Sequence, residues 1–358
     1  MWNDRRILDL LGIELPIIQA PMAGANLSDM VIAVSEAGGL GSLPCALLSH
    51  DKAREELSRI RQKTSKPINV NFFCHRAPVV DAEREAAWKQ RLKGYYLEFG
   101  LDPDMSTPPS TRAPFDETFL SLVEEFRPEV VSFHFGLPQQ NLLKRVKDTG
   151  AKVLSSATTV AEARWLEGEG CDVIIAQGFE AGGHRGIFLT DDITTQIGTM
   201  ALVPQVVDAV KVPVIAAGGI ADARGIIAAF ALGASAVQIG TAYLFTPEAT
   251  ISPVHRQALK GAGAEETALT NLFTGRPARG IVNRIMREVG PISVLAPEFP
   301  LAGGALAPLR QKSEPLGSGD FMSLWSGQAA RLARELSAGE LTKALAREAL
   351  DRLDVRSA

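Results

Sequence analysis

Cysteine is scarce in this 358-residue chain: Cys45, Cys74 and Cys171 are an odd number, without the close pairs that zinc or dithiol chemistry uses. A disulfide framework and a thiolate metal centre are thereby excluded, and free, mostly buried thiols in a reducing cytoplasm are expected. Charge of one sign is lacking too. The formal net charge is -4, with 37 Lys and Arg scattered against 41 Asp and Glu, so no basic face is concentrated enough to bind nucleic acid. The N-terminus has no long apolar run. Met1 to Leu15 carries Asp4, Arg5, Arg6, Asp9 and Glu14, which reads as neither signal peptide nor membrane anchor.

What is present is enough apolar mass, 46% of residues, to bury one large core without staples. Short apolar runs bounded by Gly, Pro or Asn recur with helical stretches between them, the pattern of βα units around a parallel sheet. Eight such runs are read as strands: Pro16–Ala20, Leu40–Leu43, Ile68–Phe73, Val130–Phe133, Lys152–Ser155, Val173–Gln177, Pro213–Ala217 and Ala236–Ile239. They are rich in Val, Ile, Leu and Ala, as strands covered on both faces should be. Helices are expected at Ser28–Ala37, Asp51–Gln62, Glu117–Glu125, Gln139–Asp148, Thr159–Glu167, Thr199–Ala209 and Asp222–Leu232, several opened by a capping Ser, Thr or Asp.

The fold class is therefore α/β, a TIM (β/α)8 barrel with an insertion after the third strand and a C-terminal helical extension; a doubly wound open sheet is the alternative. Residues 1–250 are assigned to the barrel, with the polar, proline-interrupted stretch Cys74 to Phe115 as the insertion. Residues 251–358 are assigned to a segment that packs on the barrel and helps close the active site. It holds a Gly/Pro/Ala-rich stretch, Gly290 to Gly319, and an amphipathic closing helix near Gly327–Leu353.

Three strand-to-glycine junctions carry the chemistry. The sixth strand runs into Gln177-Gly178-Phe179-Glu180-Ala181-Gly182-Gly183-His184-Arg185-Gly186, the seventh into Gly218-Gly219-Ile220, and the eighth reads Gln238-Ile239-Gly240-Thr241. Barrel loops after the last strands commonly hold a phosphate on backbone amides, and glycine removes the steric block. The amides of Gly219 and of Gly240 and Thr241 are the expected phosphate cradle. Glycine in a tight turn also serves purely conformational ends, so it is the joint occurrence that carries the reading.

At the first strand's exit, Gln19-Ala20-Pro21-Met22-Ala23-Gly24 offers a small-residue wall for a flat ring, and Asn71 can present its amide to a polar ring edge; a turn-forming asparagine is the competing account. His134 and His184 stand at carboxyl ends of expected strands, where imidazole suits proton transfer near neutral pH. No carboxylate accompanies them at ligand spacing, so no metal is expected. His50, His75 and His255, in polar or helical surroundings, are read as surface residues.

As a set, these motifs resemble the nitronate monooxygenases, formerly called 2-nitropropane dioxygenases, together with Ala37-Gly38-Gly39-Leu40-Gly41, Asn69-Val70-Asn71, Phe133-His134-Phe135-Gly136, Thr274-Gly275-Arg276-Pro277-Ala278-Arg279-Gly280 and Leu324-Trp325-Ser326-Gly327-Gln328. The resemblance covers nearly the whole chain. It implies non-covalently bound FMN and oxidation of alkyl nitronates such as propionate 3-nitronate by molecular oxygen to a carbonyl compound and nitrite. It also implies FMN contacts from Met22, Asn71, Gln177, Gly182, Gly219 and the run Gln238, Ile239, Gly240, Thr241, with His184 beside the flavin and His134 as a second active-site histidine. Which histidine is the base stays open, as does the oligomeric state, a homodimer included.

A protonated histidine, Arg185 or loop amides would hold the nitronate anion; a neutral histidine would instead take the carbon-bound proton of a nitroalkane. Only Tyr95, Tyr96 and Tyr243 are tyrosines, and Phe299 is offered where relatives line the pocket with hydroxyls, so a more apolar mouth is expected. The alternative function is an NAD(P)H-dependent flavin reductase of a quinone or enoyl thioester on the same barrel. A flavin-free barrel binding a sugar phosphate is a further one, and an interaction scaffold with glycines only as turn formers is the non-catalytic one.

Overall fold

The computed structural model describes residues 2, 4–108 and 112–355 of the 358. Its strands are β1 (Ile17–Gln19), β2 (Gly41–Pro44), β3 (Ile68–Phe73), β4 (Val130–His134), β5 (Lys152–Ala157), β6 (Val173–Gln177), β7 (Gly183–His184), β8 (Val214–Ala217), β9 (Ala236–Ile239), β10 (Thr267–Thr270) and β11 (Ala278–Ile281). Eight of them form one parallel sheet in the order β1-β9-β8-β6-β5-β4-β3-β2. A parallel bridge between Ile18 and Leu40 joins β1 to β2 and closes the ring. The barrel reading holds, and the open sheet does not. Each expected strand is found, because strands buried on both faces read as unbroken apolar runs.

Side chains alternate along these strands. Ile18, Val130, Leu154, Val173, Ile175, Ile215 and Ala236 gather inside the barrel with Ile7, Leu8 and Leu11 of the helix Arg6–Leu11. Asp4 and Arg6 bond the Ser235 hydroxyl, just before β9, so this helix plugs the amino ends of the strands. Ile17, Val131, Ile174, Ala216, Val237 and Ile239 face outward against the surrounding helices. With the amino end filled, the carboxyl end is left to carry a cavity.

The insertion is more ordered than its composition suggests. It contains a 17-residue helix, Ala82–Glu98, opened by the Asp81 side chain, which accepts from the Arg84 amide. Trp88 Nε1 donates to the Ala302 carbonyl at 3.1 Å and the Tyr96 hydroxyl to that of Ala305 at 2.6 Å, so the insertion shares an apolar cluster with the C-terminal residues.

The C-terminal extension is not only helical: β10, β11 and β7 make a three-stranded antiparallel sheet. Its closing helix also starts later than expected, at Ala338 rather than near Gly327. Ser337 and Glu340 explain the start. The Glu340 carboxylate takes the Ser337 hydroxyl at 2.7 Å and its amide at 3.2 Å, while the Glu340 amide donates to the Ser337 hydroxyl at 3.3 Å, a capping box.

Candidate active site

A cavity of about 330 Å³ opens at the carboxyl ends of the barrel strands, within the roughly 300–1,000 Å³ of small-molecule sites. Ten residues expected there from sequence line it: Met22, Asn71, His134, Gln177, Gly182, His184, Gly219, Gln238, Gly240 and Thr241. Ile239 does not. On an extended strand it lies between two inward positions, so its side chain turns outward into the core beside the helices, 1% exposed.

Arg185 requires the same correction. Next to His184 on an extended segment, it points the other way and is fully buried, donating to the carbonyls of Gly178 at 2.6 Å and Gln177 at 2.7 Å and to Gln196 Oε1 at 2.9 Å. Burial, with the nearby Arg279 charge, brings its pKa down to about 9. It clamps the loop and is not free to bind a substrate anion.

His184 is placed by β7, whose partner is β11: Ala278 is registered opposite His184 and Arg279 opposite Gly183. Its carbonyl accepts from His134 Nε2 at 3.1 Å and from Gln177 Nε2 at 3.0 Å. Gln177 Oε1 in turn accepts from the Gly186 amide at 2.7 Å, so Gln177 spans the loop. Because a carbonyl only accepts, His134 carries its hydrogen on Nε2, and its Nδ1 then accepts from the Ser156 hydroxyl at 3.0 Å. Both nitrogens of His134 are thus taken by the protein. On the His184 ring only Nε2 has a partner among the described residues, Thr274 Oγ1 at 3.0 Å, which leaves Nδ1 for the cavity.

Both imidazoles are neutral. Burial, with Arg276 and Arg185 near, takes the His134 pKa to about 4. Burial, then the unfavourable electrostatics of a proton here beside Arg112, Arg276 and the two other imidazoles, His134 and His75, pushes His184 well below 6.5. A protonated His184 holding an anion is therefore not the resting state. Around it stand Phe299, Trp325, Phe73 and Phe135, with ring centroids 5.4, 5.5, 6.0 and 6.0 Å away, so the surroundings are aromatic as the paucity of tyrosine suggests.

His255 was missed. It is 8% exposed, lines the cavity and donates Nε2–H to the Trp325 carbonyl at 3.0 Å. Its helix, Pro253–Lys260, is amphipathic, and the signal lay in His255 falling four residues before the buried Leu259 on the same face.

The groups left unpaired suit FMN. Among the described residues the backbone N–H groups of Gly219, Gly240 and Thr241 have no acceptor, and the buried Oε1 of Gln238 has no partner. Gly219 has φ +71°, a conformation that side-chain-bearing residues rarely adopt, and stands 3.3 Å by its absent Cβ from the Glu180 stem. The following helix, Ala223–Ala231, is capped by Asp222, whose carboxylate accepts from the Arg224 and Gly225 amides, so the free donors are those of the loops. Asn71 gives both amide hydrogens to Ser132, to its hydroxyl at 2.9 Å and its carbonyl at 3.2 Å, and keeps its oxygen. N–H donors at one end and carboxamide groups along the wall are what a phosphate and a polar flat ring need.

Fold and site together define a (β/α)8-barrel enzyme, with its chemistry at the carboxyl ends of the strands. The comparisons narrow the class. The chain belongs to the nitronate monooxygenase family, whose model matches residues 4–348, and is accordingly an oxidoreductase. It is 44% identical over 346 residues to a nitronate monooxygenase of Pseudomonas aeruginosa, covering 96% of this chain and 98% of that protein. Among solved structures it is similar to a nitroalkane oxidase of Streptomyces ansochromogenes, with TM-score 0.89 and 38% identity over 98% of this chain and 99% of that one. It is also similar to FabK of Thermotoga maritima, with TM-score 0.71 and 29% identity over 98% of each. No helix among the described residues is long and apolar enough to cross a membrane.

Proposed function

We propose that this chain is an FMN-dependent nitronate monooxygenase that oxidises alkyl nitronates with molecular oxygen to a carbonyl compound and nitrite, acting in the cytoplasm. The observation that carries the reading is His184, neutral and bare at Nδ1, in a cavity lined by Arg112, whose charge, with that of the nearby Arg276, favours an anion. FMN, when bound, supplies the electron acceptor that the side chains lack.

The remaining chemistry belongs to the protein. Gly219, Gly240 and Thr241 would hold the phosphate on their amides, and Met22, Asn71, Gly182 and Gln238 would border the ring. His184 is the residue that touches substrate, receiving the carbon-bound proton where a neutral nitroalkane is offered. His134 and Gln177 hold the His184 backbone in place. The aromatic rings keep water from the site and strengthen its electrostatics.

Protein loaded with FMN is tested for oxygen uptake and nitrite release with ethylnitronate and propionate 3-nitronate, alongside His184→Asn. Turnover by wild type, and loss of nitroethane oxidation in the variant with flavin retained, is expected. Flavin bleaching by NADH without any nitronate turnover would replace this reading with the reductase.

A further inference from the structure

We propose that Thr274 is a positioning residue that sets the tautomer of His184, so that Nδ1 of this imidazole is the atom that takes the proton from a neutral nitroalkane. The inference rests on the function proposed above and names the device that makes its base usable.

Counting hydrogens decides the tautomer. Thr274 Oγ1 has three neighbours: His184 Nε2 at 3.0 Å, the Arg276 carbonyl oxygen at 3.3 Å and the Arg276 amide nitrogen at 3.4 Å. The carbonyl can only accept and the amide can only donate, while the hydroxyl has one hydrogen to give. If that hydrogen goes to the carbonyl, His184 must carry its own on Nε2, and every group has a partner. If it goes to His184 instead, the Arg276 carbonyl has no donor among the described residues. Thr274 is 2% exposed, so its hydroxyl takes no partner from solvent and its one hydrogen goes to one of these two acceptors. The first arrangement is therefore the stable one, with the lone pair on Nδ1.

The same strand pairing builds both halves of the device. Thr274 lies in the loop that leads into β11, and β11 pairs with β7, which carries His184. The loop itself is closed by the Gly275 amide donating to the Asn271 carbonyl at 2.7 Å. Phe73, Phe299 and Trp325 crowd the imidazole from other elements, so its orientation is held by packing as well as by the hydroxyl.

Proton transfer needs no rearrangement of these partners. The substrate C–H bond breaks, its electron pair becomes the C=N bond of the nitronate, the N=O π pair moves onto a nitro oxygen, and the proton goes to the lone pair of Nδ1. The Nε2–H to Thr274 bond is the same before and after. A side chain whose partners do not reorganise lowers the barrier without a preliminary step.

The test compares Thr274→Val, which keeps the shape and removes the hydroxyl, with Thr274→Ser, which keeps it. Each flavin-loaded variant is assayed with neutral nitroethane and with preformed ethylnitronate, which needs no deprotonation. Histidine ¹³C and ¹⁵N NMR of the flavin-free protein, assigned with His184→Asn, reads the tautomer directly. We expect kcat/KM for nitroethane to fall about a hundredfold in Thr274→Val and by a clearly smaller factor for ethylnitronate, with Thr274→Ser restoring most of the loss. The wild-type spectrum should show the Nε2–H form and the valine variant a mixture.

Equal losses on both substrates, no loss on nitroethane, or an Nδ1–H form in the wild type would each overturn the assignment. Should the valine variant not fold, the wild-type spectrum and the serine variant decide alone. Wild type that binds flavin yet consumes neither substrate would instead remove the function on which the inference rests.

Discussion

His134 reaches across the barrel mouth to donate its Nε2 hydrogen to the main-chain carbonyl of His184, 3.1 Å away. With Nδ1 taken by Ser156, the first imidazole acts on the second through the backbone. Substituting His134→Phe keeps a ring of similar size but leaves the buried Ser156 hydroxyl without its acceptor and the His184 carbonyl with Gln177 alone. We expect a stability loss of about 1–3 kcal/mol and a kcat that falls more than KM rises. Denaturant unfolding and steady-state kinetics measure both, and a variant that loses the acid limb of the pH profile would make His134 the base.

A second expectation concerns the pH dependence of turnover. The His184 imidazole faces Arg112, His134, Arg276 and His75, and burial and these neighbours hold it neutral well below 6.5. The acid limb of kcat/KM for nitroethane should therefore lie below the ordinary histidine range. A midpoint at or above 6.5 would mean that the base is an exposed group.

The same physics makes the fold acid-labile. His75, His134 and His255 have folded pKa values depressed to about 4, against an ordinary value of 6.5 in the unfolded chain. Stability is fully present above 6.5 and is lost as pH falls from there toward 4, by at most about 1.4 kcal/mol per pH unit for each histidine. Thermal unfolding followed across that window should show a steep drop in Tm. A flat profile would contradict the buried, neutral state.

Arg185 should matter for stability and not for substrate affinity. Replacement by Ala removes the guanidinium donor from the Gln177 carbonyl and Gln196 Oε1 and leaves the Gly178 carbonyl with only the Ala181 amide, and a loss of about 3 kcal/mol is expected. Whatever enzyme remains folded should keep a near-normal KM for nitronates. A large rise in KM with unchanged Tm would return Arg185 to the substrate.

Gly182 is the contact point between the catalytic loop and the C-terminal segment. A Cβ there would stand 2.5 Å from the Gly327 amide nitrogen, and Gly327 is itself held by donating to Thr241 Oγ1 at 2.9 Å. Gly182→Ala should push the segment away, weaken flavin retention in an equilibrium titration and raise proteolytic cleavage near Gly327. Unchanged affinity would show that this contact is dispensable.

The barrel was legible because its strands need only be apolar and correctly spaced. Gly182, Gly219, Gly240 and Thr241 followed from the glycine junctions, since tight turns after parallel strands leave amides free, and Met22, Asn71 and His134 from the carboxyl ends of their strands. Arg185 and Ile239 were misplaced for one reason: a motif read as a string ignores that neighbours on an extended segment face opposite ways. His255 was discounted because its helix looks polar, and only packing against Leu324 and its neighbours shows which face is covered. Nor does local pattern indicate β7, two residues long, because its existence depends on a strand about a hundred positions later in the chain.

That two-residue strand has a consequence for synthesis on the ribosome. When the eight barrel strands have emerged, Gly183 and His184 still have no partner, because Ala278 and Arg279 have yet to be translated. The pairing that places His184 is therefore completed only after more than three quarters of the polypeptide has been made.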